Sequence, residues 1–152
     1  LNAPGTLVHG ERLALAPELA SIRQAGDWLH RIGQEFGVPK KSINRLDVCL
    51  HEVLANVLTH GGPSAFDEDI VLTFRARLDE AGGEVCLEVQ DAGAPFDPVT
   101  RIPATGAQSL DTVEPGGLGI IMIRSNADQL EYRREHGLNH LRMTLGWKRS
   151  GS

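Results

Sequence analysis

In the stretch LHEVLANVLTHGG, residues 50–62, Glu52 and Asn56 stand four apart. On a helix that spacing puts both on one face, one turn apart, and His60 continues the line by a further turn. A carboxylate so placed can take a proton from a hydroxyl or orient a water. An asparagine amide oxygen is a hard, neutral ligand suited to Mg²⁺, which keeps waters and phosphate oxygens around it. The pair suits phosphate chemistry, although Glu-x-x-x-Asn is equally an ordinary solvated helix face. The same letters begin like the zinc-protease pattern His-Glu-x-x-His. There Ala55 meets His51 at the spacing where a second histidine must stand, so the zinc reading fails.

Two further stretches carry chemistry. Asp91-Ala92-Gly93-Ala94-Pro95 closes an apolar strand pattern. A carboxylate there can accept a hydrogen bond from an exocyclic amine such as N6 of adenine, and Gly93 would let the backbone approach a flat ring. The plain alternative is a turn, because Asp-x-Gly is common at strand ends. Gly116-Gly117-Leu118-Gly119 opens a helical pattern. Free N–H groups at a helix start favour anions, and glycines let phosphates come close; a flexible linker running into a helix would read the same way. The phosphate loop Gly-x-x-x-x-Gly-Lys-Ser/Thr is absent, as is the protein-kinase set with its strand lysine. Each signal is weak alone; a Glu/Asn helix, then a strand ending in Asp-x-Gly, then a glycine-rich helix start is a hard order to reach by chance.

The elements that must hold these residues follow from periodicity. Residues 6–15 suggest a ragged strand. A helix starting near Pro17 carries Leu19, Ile22, Leu29, Ile32 and Phe36 at helical spacing and stops at Gly37. Ser42 can cap a second helix, whose apolar stripe is Leu46, Leu50, Val53 and Val57, ending at Gly61-Gly62-Pro63. Residues 64–69 read as a loop. Ile70, Leu72, Phe74, Ala76 and Leu78 alternate, as do Val85, Leu87 and Val89, with a turn at 80–83 between them. Residues 92–117 carry four glycines and four prolines without periodicity, the mark of a functional lid or an unstructured segment. A helix with Ile120, Ile121, Ile123 and Ala127 follows, then two strands around His136-Gly137. The order β-α-α-β-β-loop-α-β-β with short turns predicts a mostly antiparallel sheet covered on one face by three helices, an α/β (α+β) two-layer sandwich.

The 152 residues suffice for one domain with a core, expected over 1–152 with the lid at 94–117. Apolar residues are 41% and charged residues 23%, ordinary for a globular protein. A net charge of −5 with scattered basic residues argues against nucleic acid as a partner. No apolar run is long enough to span a bilayer, and no secretory pattern opens the chain. Cys49 and Cys86 read as reduced core thiols, so a cytoplasmic location is expected.

On the motifs HEVLANVLTHG, DAGAPFDP and GGLGIIMIRSNADQLEYRREHGLNHLRMTL, the chain from about Leu13 to Leu145 resembles the GHKL (histidine-kinase-like) ATPases, and within them the bacterial anti-sigma-factor serine/threonine kinases. The resemblance implies a Bergerat-type ATP-binding fold, with ATP and Mg²⁺ as cofactors. It implies Glu52 as general base toward a serine hydroxyl and Asn56 as the Mg²⁺ ligand. Asp91 would read adenine with Gly93 against the ring, and Gly116, Gly117, Leu118 and Gly119 would lie along the phosphates. A lid residue, with Arg101 and Thr105 as candidates, would help hold the γ-phosphate. The implied partners are an anti-sigma antagonist of the STAS type as phosphate acceptor and a sigma factor held in alternation, commonly by a kinase homodimer. Two other functions fit the same motifs: a nucleotide-dependent binding switch without transfer, and the ATP-binding module of a two-component sensor kinase, whose phosphoacceptor helical hairpin has no counterpart in this sequence.

Overall fold

The computed structural model describes residues 7–97 and 117–149. Its elements are β1 (Leu7–Leu15), α1 (Ala20–Glu35), α2 (Lys40–His60), a short 3-10 helix (Pro63–Phe66), β2 (Ile70–Asp79), β3 (Gly82–Asp91), α3 (Gly117–Asn126), β4 (Gln129–Glu135) and β5 (Leu138–Lys148). The strands form one antiparallel sheet in the order β1-β2-β3-β5-β4. The expected two-layer α+β sandwich is the observed fold.

The central strands alternate as their sequences dictate. Ile70, Leu72, Phe74 and Ala76 of β2, Val85, Leu87 and Val89 of β3, and Leu141, Met143 and Leu145 of β5 all point under the helices and are buried. Against them α2 lays Leu46, Leu50, Val53 and Val57, together with Ile43, Cys49 and Leu54. α1 contributes Leu29 and Ile32. These residues form one continuous core, and a helix of α2's length holds its shape through such an apolar face rather than through propensity.

β1 is ragged for a reason visible in the register. Its inward positions include His9 and Glu11, opposite Ala76 and Phe74. α1 answers both: Trp28 Nε1 and Arg31 Nη2 donate to Glu11 Oε1 at 3.2 and 3.0 Å, and the His9 ring stacks on Phe36 at 4.4 Å.

Four local expectations need correction. α1 begins at Ala20, not near Pro17, and Leu19 sits exposed before its first turn while Ser21 Oγ donates to Ala16 O. α2 starts at Lys40 with Pro39 at the cap position, so Ser42 lies inside the first turn and caps nothing. Residues Pro63–Phe66, read as loop, make a 3-10 turn with the buried Ala65 as its anchor. Cys86 is not a core thiol: it falls between the inward Val85 and Leu87 and faces the open side of the sheet, where Thr144 is its cross-strand neighbour. Cys49 is buried in α2, and both cysteines are free.

The two hairpins close as their residues require. At β2–β3, Asp79 Oδ1 accepts from Ala81 N and Gly82 N, and Gly82 takes φ +147°. At β4–β5, His136 and Gly137 both adopt positive φ, 54° and 77°, the geometry that matches a two-residue turn to the strand twist.

Candidate functional site

The C-terminal half of α2, Ile123 of α3, the end of β3 with the segment after it, Tyr132 of β4 and the start of β5 enclose a narrow, mainly apolar cavity of about 40 Å³. Asn56 and His60 line it from α2. Glu52 is half-buried one turn before Asn56 and is not among the lining residues, while His51 is exposed on another side of the helix. The Asn56 amide is held so that Nδ2 is buried with no hydrogen-bond partner among the described residues. A buried, unanswered amide costs on the order of 1–3 kcal/mol; such a group fits a place where a polar ligand completes the bonding.

Asp91 reaches the cavity through strand parity. It follows Val85, Leu87 and Val89 on the inward face of β3, so a carboxylate occupies what would be the next core position. Its cross-strand partner is Asn139, inward on β5 for the same reason. Asp91 Oδ1 accepts from Asn139 Nδ2 at 3.0 Å and from Gly93 N at 2.8 Å. Asn139 is fixed from its other side, since Tyr132 OH and Arg134 Nη1 both donate to its Oδ1. The two bonds that Asp91 accepts both fall on its Oδ1. Burial pushes the Asp91 carboxyl above its ordinary value; the Asn139 and Gly93 hydrogen bonds and the Arg134 charge pull the other way without cancelling it.

The segment after Asp91 is clasped to the end of α2. Ala94 N donates to Gly61 O at 2.8 Å. A side chain at Gly93 would place its Cβ 2.9 Å from Asp91 Oδ1 and 3.1 Å from Gly61 Cα, so this position takes glycine for packing against protein as well as for any ligand. The carbonyls of Gly93 and Ala94 accept from Asn139 Nδ2, and Arg134 Nη1 donates to Gly93 O at 2.9 Å. Gly61 thus both ends α2 and shapes the cavity rim.

Asn56, Asp91 and the Gly93 loop are therefore brought together, and Glu52 stands a turn away. Gly117, Leu118 and Gly119 form the first turn of α3. That helix is fastened to α2 where Cys49 Sγ donates to Ile123 O. Gly116, Arg101 and Thr105 lie outside the described residues, as does the lid beyond residue 97. Sequence reasoning missed Asn139, Tyr132 and Arg134. The available signal was parity: Asn139 is a polar residue two before Leu141, on the face that Leu141, Met143 and Leu145 make apolar.

Among the described residues no group of three His, Cys, Asp or Glu side chains converges on a metal site. The donor set is instead one amide beside a carboxylate. Asn56 Oδ1 is a protein oxygen that would suit Mg²⁺ held largely by phosphate oxygens and water, whereas its orphaned Nδ2 is a donor that would meet a ligand acceptor. No helix among the described residues is long and apolar enough to cross a membrane.

A sheet backed by helices on one face, with a buried acid at a strand end opening into a cleft beside the second helix, defines an α+β ligand-binding sandwich. Residues 15–145 match the histidine kinase-like ATPase domain family, and the chain belongs to it. It is 31% identical over 134 residues to the serine/threonine-protein kinase BtrW of Bordetella bronchiseptica, covering 88% of this chain and 92% of that one. Solved structures share the fold. The RsbU and RsbW domains of a Mycobacterium tuberculosis protein superpose with a TM-score of 0.61 at 16% identity over 90% of this chain, which spans 32% of that longer polypeptide. The SiaB–SiaC complex from Pseudomonas aeruginosa gives 0.52 at 12% identity, covering 90% of this chain and 89% of the matched one. Membership in an ATPase domain family implies ATP as the nucleotide.

Proposed function

We propose that the protein is an ATP-dependent serine/threonine kinase that phosphorylates an anti-sigma antagonist protein of the STAS type and holds a sigma factor in alternation with it. The observation that carries the nucleotide half is the Asp91–Asn139 pair, which presents a fixed carboxylate in an apolar cavity beside the unanswered amide of Asn56. The carboxylate accepts from the adenine amine, and the Gly93 backbone lies near the ring. Asn56 contributes the protein oxygen to Mg²⁺, which when bound neutralises charge on the phosphates. Gly116, Gly117, Leu118 and Gly119 offer backbone N–H groups to the phosphates, and Arg101 or Thr105 assists at the γ-phosphate.

In the transfer, Glu52 takes the proton of the serine hydroxyl. The hydroxyl oxygen bonds to the γ-phosphorus, and the bond to the β–γ bridging oxygen breaks to leave ADP. ATP, expected above as a cofactor, is then a substrate. The kinase half draws support from the relative named a serine/threonine-protein kinase, and the partner from the complex in which the SiaB–SiaC neighbour was solved. A homodimer located in the cytoplasm completes the reading.

The test is transfer of labelled γ-phosphate to candidate antagonist proteins recovered by pull-down with and without ATP. Glu52→Ala should lower transfer by about 10²–10⁴-fold while leaving Mg·ATP affinity near that of the wild type. Transfer at the wild-type rate in this variant would remove Glu52 as the base. A second reading, a nucleotide-dependent switch that transfers nothing, is favoured by one feature: the segment 94–117 contains no lysine and a single arginine, Arg101. Nucleotide binding without transfer to any captured antagonist would select it.

A further inference from the structure

The N-terminal end of α2, away from the nucleotide cavity, borders a second concavity. The α1–α2 connection, the first turn of α2, the β2–β3 hairpin and the end of β5 surround a groove of about 900 Å³. α2 runs between the two, and the 14 residues from Ser42 to Asn56 put their α2 walls about 20 Å apart. We propose that this groove docks an extended acidic segment of a partner protein, independently of the nucleotide reading.

Charge distribution is the first argument. The chain has a net charge of −5, yet all three of its lysines, Lys40, Lys41 and Lys148, fall at this end, joined by Arg45 and Arg149. Arg45 is engaged with Asp128. Lys41, Lys148 and Arg149 are exposed and make no ion pair among the described residues. The acid on the rim, Asp79, is turned to its own hairpin, accepting from Ala81 N and Gly82 N.

The second argument is the start of α2. It has no side-chain cap and no acidic residue in its first turn; Ser42 N and Ile43 N donate to Pro39 O, which leaves the N–H groups of Lys40 and Lys41 and the positive dipole end for a ligand. Beside them, Ser42 lines the groove and is 6% exposed. A serine hydroxyl at an uncapped helix start can donate to a carboxylate that enters the groove.

The third argument selects a peptide over a small anion. The groove is far larger than one anion needs, and Trp147 and Leu78 line it beside the cations. Trp147 lies flat enough on Gly83 that a Cβ there would stand 2.4 Å from its ring. An aromatic ring and cations lining one groove fit an apolar side chain flanked by Asp or Glu.

The experiment is fluorescence anisotropy of the full chain with a labelled peptide of alternating Glu, Asp and Leu. Its comparisons are the same peptide with Gln and Asn in place of the acids, a single-stranded oligonucleotide of similar charge, and inorganic phosphate as competitor. The expected result is saturable binding of the acidic peptide, weakened by added salt and lost for the neutral one. Lys41→Glu with Lys148→Glu should weaken it about tenfold or more. Lys41→Glu places an acid in a helix first turn, where it favours the fold, so lost binding will not be lost structure. Ser42→Ala should weaken binding with an unchanged melting temperature, and Asp91→Ala should leave it intact. Equal binding of the neutral peptide, or insensitivity to the charge reversal, overturns the proposal. So does displacement by millimolar phosphate, which would mark a small-anion site, or tighter binding of the oligonucleotide.

Discussion

Asp91 is placed by β3 at a position that its neighbours make apolar, and the protein accepts the cost of that burial. Its carboxyl is raised above the ordinary 3.8, chiefly by desolvation. A carboxyl whose folded pKa exceeds its unfolded one binds more protons when folded, so its contribution to stability declines as pH rises from 3.8 through the raised value. Asp91→Asn should therefore be at least as stable as the wild type at neutral pH, with the gap closing on acidification through that window; chemical denaturation at several pH values measures it. The asparagine Oδ1 can still accept from Gly93 N and Asn139 Nδ2. Its Nδ2 then faces a ligand amine, donor against donor, and nucleotide affinity should fall by about 10- to 100-fold. A variant less stable at neutral pH, yet binding nucleotide as well as the wild type, would reverse both assignments. Asp91 was legible from Asp-x-Gly at a strand end. Asn139 was not, because 48 residues separate the pair and only the β3–β5 register joins them.

Elements differed in how openly the sequence declared them, and burial explains the difference. β2, β3 and β5 have one face under the helices, so hydrophobicity alternates with period two. β1 is an edge strand whose inward His9 and Glu11 are satisfied by residues of α1, so its pattern is broken where its packing is not. The start of α2 was misplaced because Ser42 has the chemistry of a cap but stands three residues past the cap position held by Pro39. The join between α2 and the post-β3 loop was invisible as well, since it depends on Gly61 bringing two backbones together. A Cβ at Gly61 would stand 2.4 Å from Val57 O and 2.8 Å from Ala65 Cβ. Gly61→Ala should cost about 1–3 kcal/mol by overpacking, and should weaken nucleotide binding by shifting the loop that Ala94 N anchors to Gly61 O. Thermal melting and equilibrium binding together check it; a stable variant with full affinity would mean that the clasp is incidental.

At the scale of the whole molecule, α2 carries one end of the nucleotide cavity and one side of the basic groove, and it supplies much of the core between them. A ligand that binds the folded state stabilises it by an amount set by concentration over Kd, about 2.7 kcal/mol at a hundredfold excess. For a chain of this size that corresponds to a rise in melting temperature of about 5–10 °C. Mg·ATP should produce such a shift in the wild type and in Lys41→Glu/Lys148→Glu, because Lys41 lies at the far end of α2 and Lys148 at the end of β5 beside the same groove. Asp91→Ala should abolish it. Asn56→Ala should lose the part of the shift that depends on Mg²⁺ while keeping the part given by nucleotide in the presence of a chelator. If Asn56→Ala instead loses both parts equally, the amide serves the cavity wall rather than the metal. If the lysine variant loses the shift, the two ends of α2 are coupled, and the groove must be counted with the nucleotide site rather than apart from it.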